Sequence, residues 1–257
     1  MRAQTLPARA GWQWIVGGFA IFRRNPPLLA MLVMSYWFIV AFLNLLPVVG
    51  PLAASVVIPG LSVGLMQAAR NLERGQAVNI QTLFGGFREN TRTLLILGAL
   101  YLLATLAALG MSTLFDGGAL MHYMLADSKA ERAAYEDADF TFSALFLLVC
   151  MIPVLMAWWF APVLAAWHRL SVGKSLFFSL IACSMNWRPF VTFGAGLLLV
   201  AAVIPGTLLG LLLILLPELQ GFSAVIVTVV MALCIAPTVF SSFYVCYRDI
   251  FGISEIV

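Results

Sequence analysis

The chain has 257 residues, 63% of them hydrophobic and only 10% charged, against about a quarter charged in ordinary soluble domains. With a mean hydropathy of +1.02, most of it belongs in lipid, which excludes a soluble domain built around one water-shielded core. The net charge of +3 comes from basic residues beside apolar runs, so the expected partners are membrane lipids and not nucleic acid.

Residues 1–10 are polar and basic. The pair Arg23-Arg24 follows the first apolar run with no small-residue cleavage site, which fits neither a signal peptide nor a twin-arginine signal. Residues 11–24 read as a short amphipathic helix in the membrane interface. Trp12, Ile15, Phe19 and Phe22 form one stripe, and Gln13, Gly17, Ala20 and Arg24 lie opposite. A first span is expected over 28–46, a proline-marked turn at Pro47 to Pro51, and a second span over 48–66. Asn79 is placed to cap a second short helix, with Ile80, Leu83, Phe84 and Phe87 on one face. A third span covers 94–114. The only sizeable polar insertion follows at 115–141, opening on a turn at Asp116-Gly117-Gly118 and holding a capping box at Ser128 to Glu131. Further spans are expected over 142–167, 190–216 and 222–247, with a third short helix from Ser171 to Trp187 between the first two. The predicted fold class is all-α: one integral membrane domain over 1–257, with six transmembrane helices in three hairpins. A short cytoplasmic interfacial helix precedes each hairpin.

Charge sets the expected orientation. One face collects twelve of the fourteen basic residues against four acids, Glu73, Glu89, Asp249 and Glu255; the other holds Lys129 and Arg132 against seven acids. Lysine and arginine near span ends stay on the cytoplasmic side, so both termini are expected there.

Three units follow one plan, over about 11–70, 79–169 and 172–248. Gly17-Gly18-Phe19 and Gly85-Gly86-Phe87 match locally. Each inward span carries a proline in its cytoplasmic half, Pro59, Pro162 and Pro237, and each is followed by a basic exit at Arg70, Arg169 and Arg248. A proline inside a helix frees a carbonyl and kinks the helix, and in lipid a neighbour must satisfy that carbonyl.

Nearly the whole chain resembles a family of uncharacterised six-helix membrane proteins of proteobacterial inner membranes. The matching segments are Pro7 to Trp14, Pro59 to Met66, Asp116 to Leu120, Trp159 to Pro162 with Ala166 to His168, and Lys174 to Ser179 through Arg188. The plan is more loosely similar to the membrane domain attached to some glycerophosphodiester phosphodiesterases, whose soluble catalytic domain has no counterpart in these residues. The resemblance implies fold and location and carries no reaction.

The spans hold no Asp, Glu, Lys or Arg between their interfacial ends, where ion-coupled carriers usually place them. Their Ser, Thr and Tyr residues are expected to bond carbonyls or let helices approach. Trp167, His168, Arg169, Lys174 and Arg188 are the candidate lipid-headgroup contacts. They read either as a headgroup phosphate site or as an aromatic and basic belt anchoring helix ends. Cys150, Cys183, Cys234 and Cys246 form no CxxC pair and read as small buried hydrophobes, and His122 has no second ligand in its loop, so neither metal nor cofactor is expected. No catalytic residues are assigned. The expected function is that of a non-enzymatic inner-membrane protein, an envelope or lipid-associated accessory factor. The alternative is an uncoupled transporter or channel for a small apolar or amphipathic solute. A lipid-modifying enzyme using His168 is the third reading.

Overall fold

The computed structural model describes residues 3–46, 49–126, 131, 133–134, 140–215 and 220–252. The expected turn at Pro47 and most of the capping box at Ser128 to Glu131 lie outside them. Among the described residues the chain is helical throughout, without strands.

Six helices are long and apolar enough to cross a membrane: Pro26–Asn44, Val49–Glu73, Thr91–Asp116, Thr141–Trp167, Trp187–Leu215 and Ala224–Phe251. In chain order the elements are α1 (Ala10–Phe22), α2 (Pro26–Asn44), α3 (Val49–Glu73), the 3-10 helix α4 (Ile80–Arg88), α5 (Thr91–Asp116), α6 (Ala119–Leu125), α7 (Thr141–Trp159), α8 (Ala161–Trp167), α9 (Val172–Met185), α10 (Trp187–Leu198), α11 (Ile204–Leu215), α12 (Gln220–Val230) and α13 (Ala236–Phe251). Local signals explain several boundaries. Asn25 accepts from the Leu28 amide ahead of prolines in the first turn of α2, where a missing N–H costs nothing. Asn79 and Thr82 bond reciprocally as a capping box on α4. Gly117 and Gly118 take left-handed backbone (φ +63° and +96°), which glycine adopts freely, while the Asp116 carboxylate accepts from the Gly118 and Leu120 amides.

The three inward prolines are handled differently. Pro59 lies within the unbroken α3. Pro162 follows a true break: α7 ends at Trp159, Phe160 stands between, and α8 begins at Ala161. Pro237 follows a π turn over Met231–Ile235, and Pro205 of the preceding span follows a matching one over Leu199–Val203. A π turn widens the hydrogen-bond ring and makes room for the proline that comes next. Hydroxyls support both bends, with Thr207 donating to Val203 O and Thr238 to Cys234 O, each at 2.7 Å.

The core sits at the end of the bundle that carries both termini. Buried residues of α3 cluster over 59–69, those of α8 over 161–166 and those of α13 over 237–251, whereas α11 has none. At the opposite end Leu145, Leu148, Leu208 and Leu211 are exposed. Trp14 and Trp159 close on Phe190 and Phe193 in edge-to-face contacts with centroids 5.3–6.3 Å apart.

Each short helix contributes buried residues to the packing of the bundle. Each packs chiefly on the proline-bearing helix of the preceding unit: α4 on α3, α9 on α7 and α8, and α1, closing a ring, on α13. A small residue makes each closest approach. A side chain on Gly18 would meet Thr238 O at 2.6 Å, one on Gly86 would collide with Gly60 O, and Ser179 reaches the break at Phe160. The expected stripe on α1 is therefore split. Ile15 and Phe22 are buried, but Trp12 and Phe19 are 44% and 46% exposed. The packed face runs through Ala10, Trp14, Gly18 and Ile21. On α4, likewise, Leu83 and Gly86 are buried while Ile80 and Phe84 face outward.

Backbone and side-chain bonds lock the ring. The Gln4 backbone N–H donates to Ile250 O at 2.8 Å. Asn186, fully buried, accepts from the Leu6 amide and donates to Gln4 O and Ala182 O, all at 2.9 Å.

Candidate functional site

Two features stand out, a polar cluster at the terminal end and an apolar cavity beneath it. The cluster centres on His168, which follows α8 directly. Its Nε2 shares a 2.6 Å hydrogen bond with Tyr247 Oη from α13. Trp167 packs edge-on to Tyr247 at 5.1 Å, and the Arg70 guanidinium lies 4.9 Å over the Trp167 ring. One turn away, Tyr244 Oη donates to Glu73 at 2.6 Å, and Glu73 also pairs with Arg248. Arg24 donates to Leu72 O and Glu73 O at 3.0 and 2.7 Å, satisfying carbonyls left open at the end of α3. Burial pushes the His168 imidazole below its usual range, and the charge of Arg70 adds to that.

The five headgroup candidates separate into two sets. Trp167 and His168 turn inward to Tyr247. Arg169, Lys174 and Arg188 point out and make their own contacts. Arg169 takes left-handed backbone (φ +50°), a strained state for a residue with a side chain. Asn90 steadies that turn by donating to Ala165 O and Leu170 O at 3.3 Å each. The exposed Arg169 guanidinium stands 3.9 Å from Glu89. Lys174 lines a shallow groove with Leu170, Phe177 and Phe178. Arg188 lies 5.4 Å over the ring of Trp187. Tyr247, Tyr244, Arg70 and Glu73 were not among the sequence candidates. Their spacing along α3 and α13 is helical, yet only the packing of α13 against α3 and α8 makes them neighbours of His168.

The cysteines divide as well. Cys183 and Cys246 are buried, and burial pushes the Cys183 thiol up to about 12, which keeps it protonated and inert. Cys150 is half-buried, and Cys234 is exposed on the span surface.

The cavity lies where the proline-bearing helices meet. It encloses about 280 Å³, between Pro59 of α3, Pro162 of α8, and Phe240 and Phe243 one turn and more beyond Pro237. Tyr101 and Trp158 close one side in an edge-to-face pair at 5.9 Å. Its walls are apolar apart from a few polar side chains.

Fold and site together define a polytopic, all-α membrane protein packed around three proline-bearing helices. Over 99% of its length the chain is 35% identical to a probable inner membrane protein of Burkholderia thailandensis, covering 96% of that protein. It belongs to that protein's family and is an integral, multi-pass protein of the inner membrane. No family model and no solved structure matches the chain.

Proposed function

We propose that the protein is a non-enzymatic, lipid-associated accessory factor of the envelope, oriented with both termini in the cytoplasm. One observation carries this reading: a collar of outward-facing aromatic residues paired with cations around the terminal end. Arg23 lies 5.8 Å over Phe19 and Arg188 5.4 Å over Trp187. Lys174 sits beside Phe177, and Phe177 and Trp187 are 59% and 58% exposed. Aromatic rings at headgroup depth beside cations suit an anionic leaflet, each cation near the surface contributing on the order of 1 kcal/mol. Arg169, Lys174 and Arg188 are the headgroup contacts in this reading. Trp167 and His168 hold the helix ends that present them.

The test is lipid analysis of the purified protein. Anionic phospholipid is expected to co-isolate in excess over its share of the membrane, and an R23A/K174A/R188A variant is expected to lose that excess. Co-isolated lipid matching the bulk composition in both proteins would overturn the reading. The cavity favours a second reading, uncoupled passage of a small apolar or amphipathic solute. Solute flux into vesicles that depends on the protein and stops when the cavity is filled would select it.

A further inference from the structure

We propose that the cavity between the three proline-bearing helices is a binding site for one acyl chain of a bilayer phospholipid. The inference rests on the lipid-associated reading and adds an internal site to it. Depth is the first argument. Pro59 precedes Arg70 by eleven residues, about 16 Å along a helix rising 1.5 Å per residue. The cavity therefore lies near the middle of a hydrocarbon layer about 30 Å thick, and the phase around it is lipid tails.

The walls supply the second argument. Ser55 Oγ donates to Leu52 O at 2.8 Å, and Trp158 Nε1 donates to Leu97 O at 2.8 Å. With these two groups committed, most of the remaining lining, Ile58, Pro59, Val63, Phe240 and Phe243 among it, offers an occupant apolar surface, and that favours a hydrocarbon.

Size and access are the third. At roughly 30 Å³ per water, and with a chain methylene of similar bulk, 280 Å³ is the volume of roughly nine such units, comparable with a large part of one acyl chain. Pro59, Phe160 and Val163 at the base are buried, while Ser55, Tyr101 and Trp158 at the rim are half-exposed. The rim faces the end where α11 and its neighbours carry no core, so a tail can enter from the bilayer.

The full-length protein is reconstituted in vesicles of phosphatidylethanolamine and phosphatidylglycerol, the latter carrying a photoreactive diazirine midway along one acyl chain. Adducts are mapped after irradiation. Peptides over 55–63 and 158–163 are expected to carry roughly ten times the label of the outward-facing 145–152 and 208–214, a ratio equal to about 1.4 kcal/mol of preference. Ser55→Phe and Ile58→Phe, which fill the rim, are expected to remove the cavity label and leave the outward label in place. Label spread evenly between cavity and outward peptides, or cavity label unchanged in both variants, would overturn the proposal. The wild-type distribution decides the matter alone should either variant fail to fold. A parallel preparation in phosphatidylcholine carrying the same diazirine reads the collar separately. An anionic preference without cavity label keeps the proposed function and removes this site. Cavity label without an anionic preference does the reverse.

Discussion

Removing one hydroxyl, in Ser179→Ala, tests how the break at Pro162 is held together. Ser179 Oγ donates to Met156 O at 2.8 Å and accepts from the Phe160 amide at 2.9 Å, and the residue is fully buried. Both partners are backbone groups orphaned where α7 gives way to α8, at a depth where water cannot replace the serine. Two neutral hydrogen bonds contribute about 1 kcal/mol each, and a buried amide left unsatisfied costs about 1–3 kcal/mol. Hydrogen bonds between membrane helices average nearer 0.6 kcal/mol. The expected loss is therefore about 2 kcal/mol. Ser175, one turn earlier on the same buried face, is the internal control, because its hydroxyl finds no partner among the described residues. Ser175→Ala is expected to be neutral or stabilising. The assay is reversible unfolding in mixed micelles as the denaturing detergent fraction rises, followed by helical circular dichroism. A loss under about 0.5 kcal/mol for Ser179→Ala, or equal losses for the two variants, would refute the account, since 0.5 kcal/mol is the scatter of inconsequential substitutions.

Three further outcomes are expected. Gly86→Ala puts a methyl into Gly60 O, while the same change at Gly85 meets open space; the first should cost at least about 1–3 kcal/mol and the second nearly nothing, measured in the same assay. His168 should titrate below about 6.5 by imidazole NMR in a His122→Gln background, because burial and Arg70 favour the neutral ring. The unfolded chain then binds more proton in the window between that lowered pKa and about 6.5, so stability rises with pH across the window and is lost as pH falls through it; a stability flat over that window would contradict the assignment. For topology, Lys129 and Lys174 are the two lysines, and a membrane-impermeant amine reagent applied outside intact inner-membrane vesicles of native orientation should modify Lys129 and spare Lys174; the reverse pattern would invert the proposed orientation.

The spans were legible because lipid imposes length and apolarity locally, and the cap at Asn79 because a cap is read within three residues. The packing face of α1 was not. In water a large apolar stripe marks the core, but in a bilayer Trp12 and Phe19 are equally at home facing tails, so the stripe stops discriminating. Gly11, Gly18 and Gly86 carried the usable signal, since a small residue lets backbones touch. The cavity had no local signature in the sequence. Its walls come from five separate helices, and no local pattern places Tyr101 beside Trp158 or Phe243 beside Trp159. The same holds for the partners of His168, where Tyr247 stands 79 positions away.

The closure of α1 on α13 bears on how the protein is made. Among the described helices α1 is made first, yet Thr238 and Ser242, which face Gly18, and Ile250, which accepts from the Gln4 backbone N–H, are made only after the spans between them. Until then α1 has chiefly α10 to pack on, through Trp14 against Phe190 and Phe193. Docking of α1 on α13 therefore requires translation of the span that carries α13. A chain halted before Pro237 would hold its first helix chiefly by α10, through Trp14 on Phe190 and Phe193.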